Sequence, residues 1–582
     1  MQEPAQSKRR VKFGVFEADL AARELRKNGA KVRLQDQPFQ VLAMLLENSG
    51  HIVTREELRQ KLWPADTFVD FDNGLNTCIN KIREALGDSA ESPRFIETLP
   101  RRGYRFLPSV DGIGEALPKS PGPIDSIAVL PLENLTHDPD QEYFADGLTE
   151  ALITNLAKIS ALRVVSRTSA MHYKSVHKPL PQIACELGVA AVVEGTVLRS
   201  GKRLRISARL VDARTDSHLW AEVYDRDLRD VLALQSEVTQ AIVREIQVKL
   251  TPKEQAKLAR VRLVDPEAYE AYLKGRYHWN KRSGPGIRKG VGYFQQAIEK
   301  DPTYAAAYAG LADSAGIAGL WAFVPPEHGC GRAKAAARKS LEIEESAEAH
   351  ASLGWAIIHY DFDTVSAEKE FQRAIELDPR YPSAHQWYAH YFGYMNRWDQ
   401  ALQEATRALQ LDPLSLIINV TYAACFWLTH QWDRAAEHCR KALELDPNFI
   451  TLRWLLANAY EGKAMHQEAI RERKWAVEHS GAAPTFIVEL AASYAAAGKR
   501  DEAVRILEEL NDISKEQYVS PYWLALVHAA LKETDETFRL LDRAYSERSG
   551  RLAWVKMDPR LDNLRKDRRF ADLLRRMNFP EV

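Results

Sequence analysis

The C-terminal half of the chain repeats itself every 34 residues. An Asp-Pro pair recurs at this interval at Asp378, Asp412 and Asp446. Alanines hold two more positions in the same register, one with Ala367, Ala401, Ala435, Ala469 and Ala503, the other with Ala374, Ala408, Ala442 and Ala476. A period of this length, with small residues at fixed places, predicts pairs of closely packed helices that stack into an extended array.

This pattern resembles the tetratricopeptide repeat, so residues 266–582 are predicted to form an all-α solenoid of about eight units with a C-terminal capping helix. The spacing also predicts an insertion near residues 318–331. The resemblance implies a concave groove for a protein or peptide partner, lined by repeat position with His390, Trp427, Trp454 and Asn458. Aromatic residues at helical spacing are more often packing residues, and that alternative stays open.

Residues 71–106 contain the strongest functional signal. Leu75, Ile79, Ile82 and Leu86 fall on one stripe of a helical wheel, with Cys78 beside them, and predict a buried helix face. Amides, a hydroxyl and cations occupy the opposite side: Asn76, Thr77, Asn80, Lys81 and Arg83, with Glu84. Side chains of these types read base edges and hold phosphates in a major groove. A solvated helix face is the alternative interpretation.

A hairpin is predicted directly after this helix. The segments FIETL and YRF flank the turn Pro100-Arg101-Arg102-Gly103. Pro and Gly favour a turn, and they place Arg101 and Arg102 at its tip, where a narrow groove attracts cations.

The residues upstream of 71 predict a sheet and two more helices. Alternating residues around Asn28-Gly29 indicate an antiparallel hairpin. Pro38 is expected to open the first helix, and Thr54-x-x-Glu57 is a capping box for the second, which Pro64 is expected to end.

The order sheet, helix, helix, recognition helix, wing resembles the OmpR/PhoB-type winged helix. The ending ETLPRRGYRF is most similar to the CadC/ToxR branch. The resemblance covers roughly residues 11–108, within a predicted DNA-binding domain of residues 1–108. It implies that the third helix enters the major groove while the wing approaches the minor groove or the backbone. The DNA-binding residues expected from helix and wing together are Asn76, Thr77, Asn80, Lys81, Arg83, Thr98, Arg101 and Arg102.

Charge and hydropathy indicate how the protein could bind DNA and where it is located. The net charge is -1, and residues 1–108 hold 18 Lys and Arg against 15 Asp and Glu, so DNA affinity would depend on placed contacts and on more than one bound copy. Residues 109–125 are rich in Gly and Pro and predict a linker where relatives in the CadC/ToxR branch often have a membrane helix. We therefore expect a soluble, cytoplasmic protein with reduced cysteines and no membrane partner.

Residues 126–255 alternate strand and helix signals and predict a small α/β domain. The segments IAVLPLENLTHDPDQEYFADGLTEAL and LRVVSRTS resemble the domain related to the N-terminal domain of TolB. Carboxylates gather near its first helix, where the helix dipole favours them, and a structural role is the preferred interpretation. The sequence has no P-loop, GxGxxG, HExxH or GxSxG motif, so no catalytic residue, metal site or cofactor is predicted.

Two functions from different classes fit this multidomain chain of winged helix, α/β domain and α-solenoid. The first is a soluble one-component transcriptional regulator that binds double-stranded DNA, as a possible homodimer, and whose repeats bind a protein partner or mediate self-association. The second is a protein-interaction scaffold whose winged helix no longer binds DNA. The polar face of the recognition helix and the wing arginines favour the first.

Overall fold

The computed structural model describes residues 10–20, 22–27, 29–49, 52–62, 71–89, 93–99, 103–108, 124–174, 176, 178–248, 250–252, 254–255 and 264–579. The chain divides into two compact units, Met1–Gly122 and Pro123–Val582.

In the first unit, an antiparallel four-stranded sheet precedes three helices and a second sheet. The order confirms the predicted winged helix. The elements are β1 (Arg10–Phe13), β2 (Phe16–Asp19), β3 (Glu24–Lys27), β4 (Ala30–Val32), α1 (Asp36–Glu47), β5 (Ile52–Thr54), α2 (Arg55–Leu62), α3 (Phe71–Leu86), β6 (Ile96–Leu99) and β7 (Gly103–Phe106). The second sheet has the order β5-β7-β6, and its β6–β7 hairpin is the wing.

Local sequence signals explain where these elements begin and end. Lys27 pairs with Ala30 across the predicted two-residue turn, in which Gly29 has φ +83°. In the capping box, Thr54 N–H donates to Glu57 Oε2 at 2.7 Å, and Glu57 N–H donates to Thr54 Oγ1 at 3.2 Å. The Thr54 N–H holds the pKa of Glu57 below its ordinary value. Helix α1 begins at Asp36, two residues before the predicted start, and Pro64 lies outside the described residues.

The core of this unit includes the predicted stripe of α3, which packs against α1. Leu75, Ile79, Ile82 and Leu86 are at most 1% exposed. Burial raises the pKa of the Cys78 thiol beside them, so the thiol stays protonated. An aromatic cluster completes this core: Phe13, Phe16, Phe95 and Phe106.

Gly103 is required where β7 leaves the turn of the wing. A Cβ atom at this position would lie 2.1 Å from Val53 O, a backbone atom of the neighbouring strand β5. We therefore expect Gly103→Ala to lower the free energy of unfolding of this unit by at least about 2–3 kcal/mol. Hydrogen exchange of its amides in the full-length protein measures the change.

Gly29→Ala is the matched control for Gly103→Ala. Gly29 also has a positive φ, but a Cβ atom there meets nothing within 4 Å. Only the conformational strain remains, and a loss of about 1 kcal/mol is expected. Equal losses in the two variants would show that the close approach of β5 and β7 is not the cause.

The second unit begins with a mixed sheet flanked by helices. Its order is β10-β8-β11-β12-β13, with β9 beside β11, and β11, β12 and β13 form a long antiparallel meander. The elements are β8 (Ser126–Val129), β9 (Glu133–Asn134), α4 (Glu142–Ala157), β10 (Arg163–Val164), α5 (Arg167–Met171), α6 (Leu180–Leu187), β11 (Ala191–Ser200), β12 (Arg203–Asp212), β13 (Ser217–Asp227) and α7 (Val231–Glu245).

Eight helix pairs follow and confirm the predicted solenoid. We number them as repeats 1 to 8: Pro266–Asn280 with Gly284–Lys300, Ala305–Leu320 with Arg332–Ile343, Ala347–Tyr360 with Thr364–Leu377, Pro382–Tyr394 with Trp398–Leu411, Leu416–Leu428 with Trp432–Leu443, Ile450–Gly462 with His466–His479, Pro484–Ala496 with Arg500–Ile513, and Pro521–Ala530 with Thr534–Ser546. The array ends in two 3-10 segments, Gly550–Trp554 and Pro559–Leu564, and the helix Arg568–Arg576.

The regular spacing of the repeats has a packing cause. The periodic alanines are at most 3% exposed, because a larger side chain would separate the paired helices. Asp301, Asp378 and Asp446 each accept a hydrogen bond from the backbone N–H two residues later, which turns the chain into the next repeat. The expected insertion lies between the two helices of repeat 2.

The α/β layer packs directly on repeat 1 through a shared apolar core, and polar contacts add to it. Arg276 of repeat 1 donates to Glu150 of α4 at 2.7 Å, and Arg199 of β11 pairs with Glu270 at 2.7 Å. Arg380 donates to backbone carbonyls at the end of α4. The carboxylates of α4 thus have cationic partners within the fold. No described helix is long and apolar enough to cross a membrane.

Candidate nucleic-acid interface

The outward face of α3 presents the polar side chains that were predicted from its sequence. Asn76, Thr77, Asn80 and Lys81 are exposed, and Glu84 lies among them. The buried stripe on the opposite side fixes the rotation of the helix, so these side chains all project from the same side of the unit.

A polar cluster at the start of this face joins three elements. Asn76 Oδ1 accepts hydrogen bonds from Arg55 Nη2 at 3.2 Å and from the Tyr104 hydroxyl at 3.0 Å. The Arg55 guanidinium also lies 5.5 Å from the centre of the Tyr104 ring. The cluster therefore holds α3 against α2 and the wing strand β7. Sequence reasoning missed Arg55, although a cation inside the capping box, at the first position of the helix, was visible.

Lys81 is held in place from outside the helix. Its Nζ donates to Gln35 Oε1 at 2.6 Å, just before α1. Asn80, its neighbour, is exposed at the middle of the face. An exposed lysine with a neutral hydrogen-bond partner keeps its full charge available to a phosphate.

Arg83 does not project from the outward face, and its predicted role in the major groove is wrong. The side chain is 8% exposed and donates to Ile96 O at 3.0 Å and to Thr98 Oγ1 at 2.8 Å, both on β6. Position 83 lies only about 80° from Leu75 on the wheel, at the border of the buried stripe, so a long side chain can reach the wing. Arg83 thus fastens the recognition helix to the wing.

Hydrogen bonds to Asp88 connect the end of α3 to the start of the wing. Asp88 accepts hydrogen bonds from the backbone N–H groups of Arg94 and Ile96 at 2.7 and 2.8 Å, which fixes the approach to β6. Thr98 is exposed on β6. Arg101 and Arg102, predicted at the tip of the wing, lie outside the described residues.

The four residues predicted to line a concave groove occupy first helices of repeats 4, 5 and 6. His390 is partly exposed, whereas Trp427, Trp454 and Asn458 are each 1% exposed. The 3-10 segment Gly550–Trp554 and Trp321 of the repeat 2 insertion fill the interior in front of the two tryptophans, and Arg473 donates a hydrogen bond to Asn458. An open peptide groove at these three residues is therefore excluded, because other parts of the chain already cover them.

Comparison with known proteins places the interface in a family. Residues 29–106 match the family described as Transcriptional regulatory protein, C terminal. This range contains α1 to α3 and both strands of the wing.

Relatives match parts of the chain. The "Putative adenylate cyclase 3" of Rhizobium meliloti (strain 1021) is 44% identical over 189 residues, 32% of this chain and 32% of that protein. The cholera toxin homolog transcriptional activator of Vibrio parahaemolyticus is 36% identical over 80 residues, 14% of this chain and 27% of that protein. The transcriptional regulator HilA of Salmonella typhimurium is 23% identical over 288 residues, 49% of each. The chain thus spans half or less of the length of these relatives.

The order of elements, the wing and the family match agree on one type of domain. The TolB-like resemblance of the α/β layer stays a prediction. The N-terminal module is a winged helix of the OmpR/PhoB transcriptional-regulator type.

Proposed function

We propose that the chain is a transcriptional regulator that binds double-stranded DNA in a sequence-specific manner. One observation carries the proposal: the exposed polar face of α3 is fastened to the wing by the buried Arg83 side chain. A helix and a wing that keep a fixed separation can occupy adjacent grooves of one duplex without losing conformational entropy on binding.

Each part of the interface has a proposed task. Asn80 offers an amide, which suits the N6 and N7 atoms of adenine, and Lys81 offers a charge for a phosphate or a guanine edge. Thr77 lies on the same exposed face, while Thr98, with Arg101 and Arg102, would approach the backbone or the minor groove. Asn76 is shared with Arg55 and Tyr104, so we assign it to positioning the helix as well as to the DNA.

The repeats are the proposed regulatory part. Two of the relatives with partial matches are named as a transcriptional activator and a transcriptional regulator, and the second match spans half of this chain. With an excess of three positive charges in residues 1–108, one copy would hold a half-site weakly. Pairing of two copies on DNA, or binding of a protein partner by the array, would raise the affinity.

We propose further that the chain acts by binding and not as an enzyme. The relative named as a cyclase shares only 32% of its length with this chain. The three carboxylates of α4, where catalysis was considered, are paired: Lys174 contacts Glu142 at 2.7 Å and Asp146 at 2.6 Å, and Arg276 contacts Glu150. As a DNA-binding regulator it would work in the cytoplasm, where bacterial DNA lies.

Selection from a random duplex library with the full-length protein tests the proposal. We expect one enriched sequence, bound at least roughly a thousandfold more tightly than random duplex. Its affinity should fall steeply with salt, by a log–log slope of about 0.9 for each phosphate neutralised. Equal binding of all sequences, or none at low salt, would instead favour the protein-interaction scaffold.

A further inference from the structure

A cavity of about 110 Å³ lies inside the repeat array, on the inner side of the first helices. Its walls include five tryptophans: Trp321, Trp355, Trp387, Trp454 and Trp554. Repeats that are far apart in sequence line it together, because the repeat 2 insertion contacts repeats 6, 7 and 8. There, Trp321 packs at 5.3 Å from Trp454 and 6.4 Å from Trp523 between ring centres.

The cavity contains one buried cation, Arg551 of the 3-10 segment Gly550–Trp554. Its side chain is 2% exposed, and its guanidinium lies 3.6 Å from the ring centre of Trp554 and 4.9 Å from that of Trp454. Contacts with aromatic faces offset part of the cost of burying a charge, by up to about 2 kcal/mol at each site. They supply no acceptor for the N–H groups in the guanidinium plane.

Two of those groups lack a partner. Arg551 Nε and Nη2 are buried, and no described residue accepts a hydrogen bond from them. Burial lowers the pKa of Arg551 to about 10, so the group remains charged at neutral pH. A buried charge without a hydrogen-bonded partner is unusual, because the cost of its desolvation is otherwise uncompensated.

The neighbouring buried arginines show the contrast. Arg560 pairs with Asp558 at 2.7 Å and with Glu489 at 3.0 Å, and Arg473 pairs with Glu489 at 2.7 Å. The carboxylates nearest to this core are therefore engaged by other cations. Arg551 alone of the three lines the cavity.

The other charged residues of the cavity wall are also cations. Arg282 and Arg288 line it together with Arg551, and no Asp or Glu does so among the described residues. Trp355 Nε1 is a further buried donor without an acceptor in the described part of the chain. His390 bonds to Thr421 at 3.1 Å, and burial lowers the pKa of His390 to about 3, so its ring is neutral. The wall thus offers donors and cations to a ligand that accepts hydrogen bonds.

We propose that this cavity binds a small organic anion, a monocarboxylate with a flat or branched apolar body. The carboxylate would accept hydrogen bonds from Arg551 Nε and Nη2, and the apolar body would lie against the tryptophan rings. The volume of about 110 Å³, below the roughly 150 Å³ of an apolar cavity that accommodates benzene, limits the occupant to a small molecule. A role of this anion as the signal of a regulator rests on the proposed function. The binding itself does not, because it is measured without DNA.

Calorimetric titration of the full-length protein with benzoate, phenylacetate and 3-methylbutanoate tests the site. We expect at least one of them to bind with a Kd below about 1 mM. Its amide, which has the same shape without the charge, should bind at least roughly tenfold more weakly, because bonds to an ionised acceptor are about twice as strong. Failure of all three acids, or equal binding of acid and amide, would overturn the proposal.

Variants assign any binding to Arg551. Arg551→Met should weaken the binding at least roughly tenfold, whereas Arg543→Met, at an exposed arginine paired with Glu547, should leave it unchanged. If Arg551→Met does not fold, Arg551→Lys keeps the charge but loses the planar fork and should also bind more weakly. Wild-type affinity in whichever Arg551 variant folds would overturn the assignment.

Discussion

Alanine replacement of Asn80 and Lys81 together is expected to weaken the sequence preference while leaving the protein folded. Both side chains are exposed at the middle of the outward face of α3, and neither belongs to the core of the unit. Loss of a base-edge contact from Asn80 should cost roughly 1–3 kcal/mol. Loss of the Lys81 charge should lower the salt slope by about 0.9 if it contacts a phosphate. Fluorescence anisotropy titrations on the selected duplex, repeated at several salt concentrations, measure both effects.

Lys31→Ala is the matched control for the loss of charge. Lys31 is an exposed cation of β4, on the N-terminal sheet, and pairs with Glu24 at 2.6 Å. Its removal should change neither the sequence preference nor the salt slope, because the proposed interface does not include that sheet. Unchanged binding by the double variant of Asn80 and Lys81 at moderate salt would count against α3 as the reading helix.

The outward face of α3 could be predicted because one helix obeys one period. Once Leu75 and Ile79 are buried, the wheel places Thr77 and Asn80 outside, and the structure agrees. Arg83 fails this rule because its position borders the stripe, and its long side chain finds acceptors on β6. A wheel contains no information about which strand will lie beside a border position.

The repeat array shows the same division between local and distant information. The 34-residue period and the buried alanines were predictable, since each repeat packs only against its neighbours. The filled interior was not, because Trp321, Phe486 and Trp523 meet only when the curvature of the whole array is known. The tryptophans predicted to line a groove became packing residues for that reason.

Polar contacts between distant parts of the second unit could not be predicted from the sequence either. Ser166 of the α/β layer donates to Asp412 of the repeats at 2.6 Å, and Arg380 bonds to carbonyls near the end of α4. Asp412 was recognised only as part of the repeat signature. Its second task depends on a partner far away in the sequence, which no local pattern specifies.

Replacement of Glu489 by glutamine is expected to open the C-terminal end of the array. Glu489 is 1% exposed on the first helix of repeat 7 and accepts from Arg473 at 2.7 Å and from Arg560 at 3.0 Å. It thus joins repeats 6 and 7 to the segment Pro559–Leu564. Removing one partner of a buried ionic cluster costs about 3–5 kcal/mol, because the remaining charges stay desolvated. The amides of Arg568–Arg576 should then exchange roughly two to four orders of magnitude faster in the full-length protein.

Acid should weaken the same end of the array in the wild type. Burial alone would raise the pKa of Glu489, but Arg473 and Arg560 hold it below its ordinary value. The stabilisation is therefore complete above the unfolded carboxyl pKa of about 4.3 and is lost as the pH falls through the lower folded value.

Glu509→Gln is the matched control for Glu489→Gln. The contact of Glu509 with Arg505 is long, at 3.9 Å, and exposed, so hydrogen exchange should not change in this variant. Equal exchange in both variants would mean that the buried cluster does not hold the end closed.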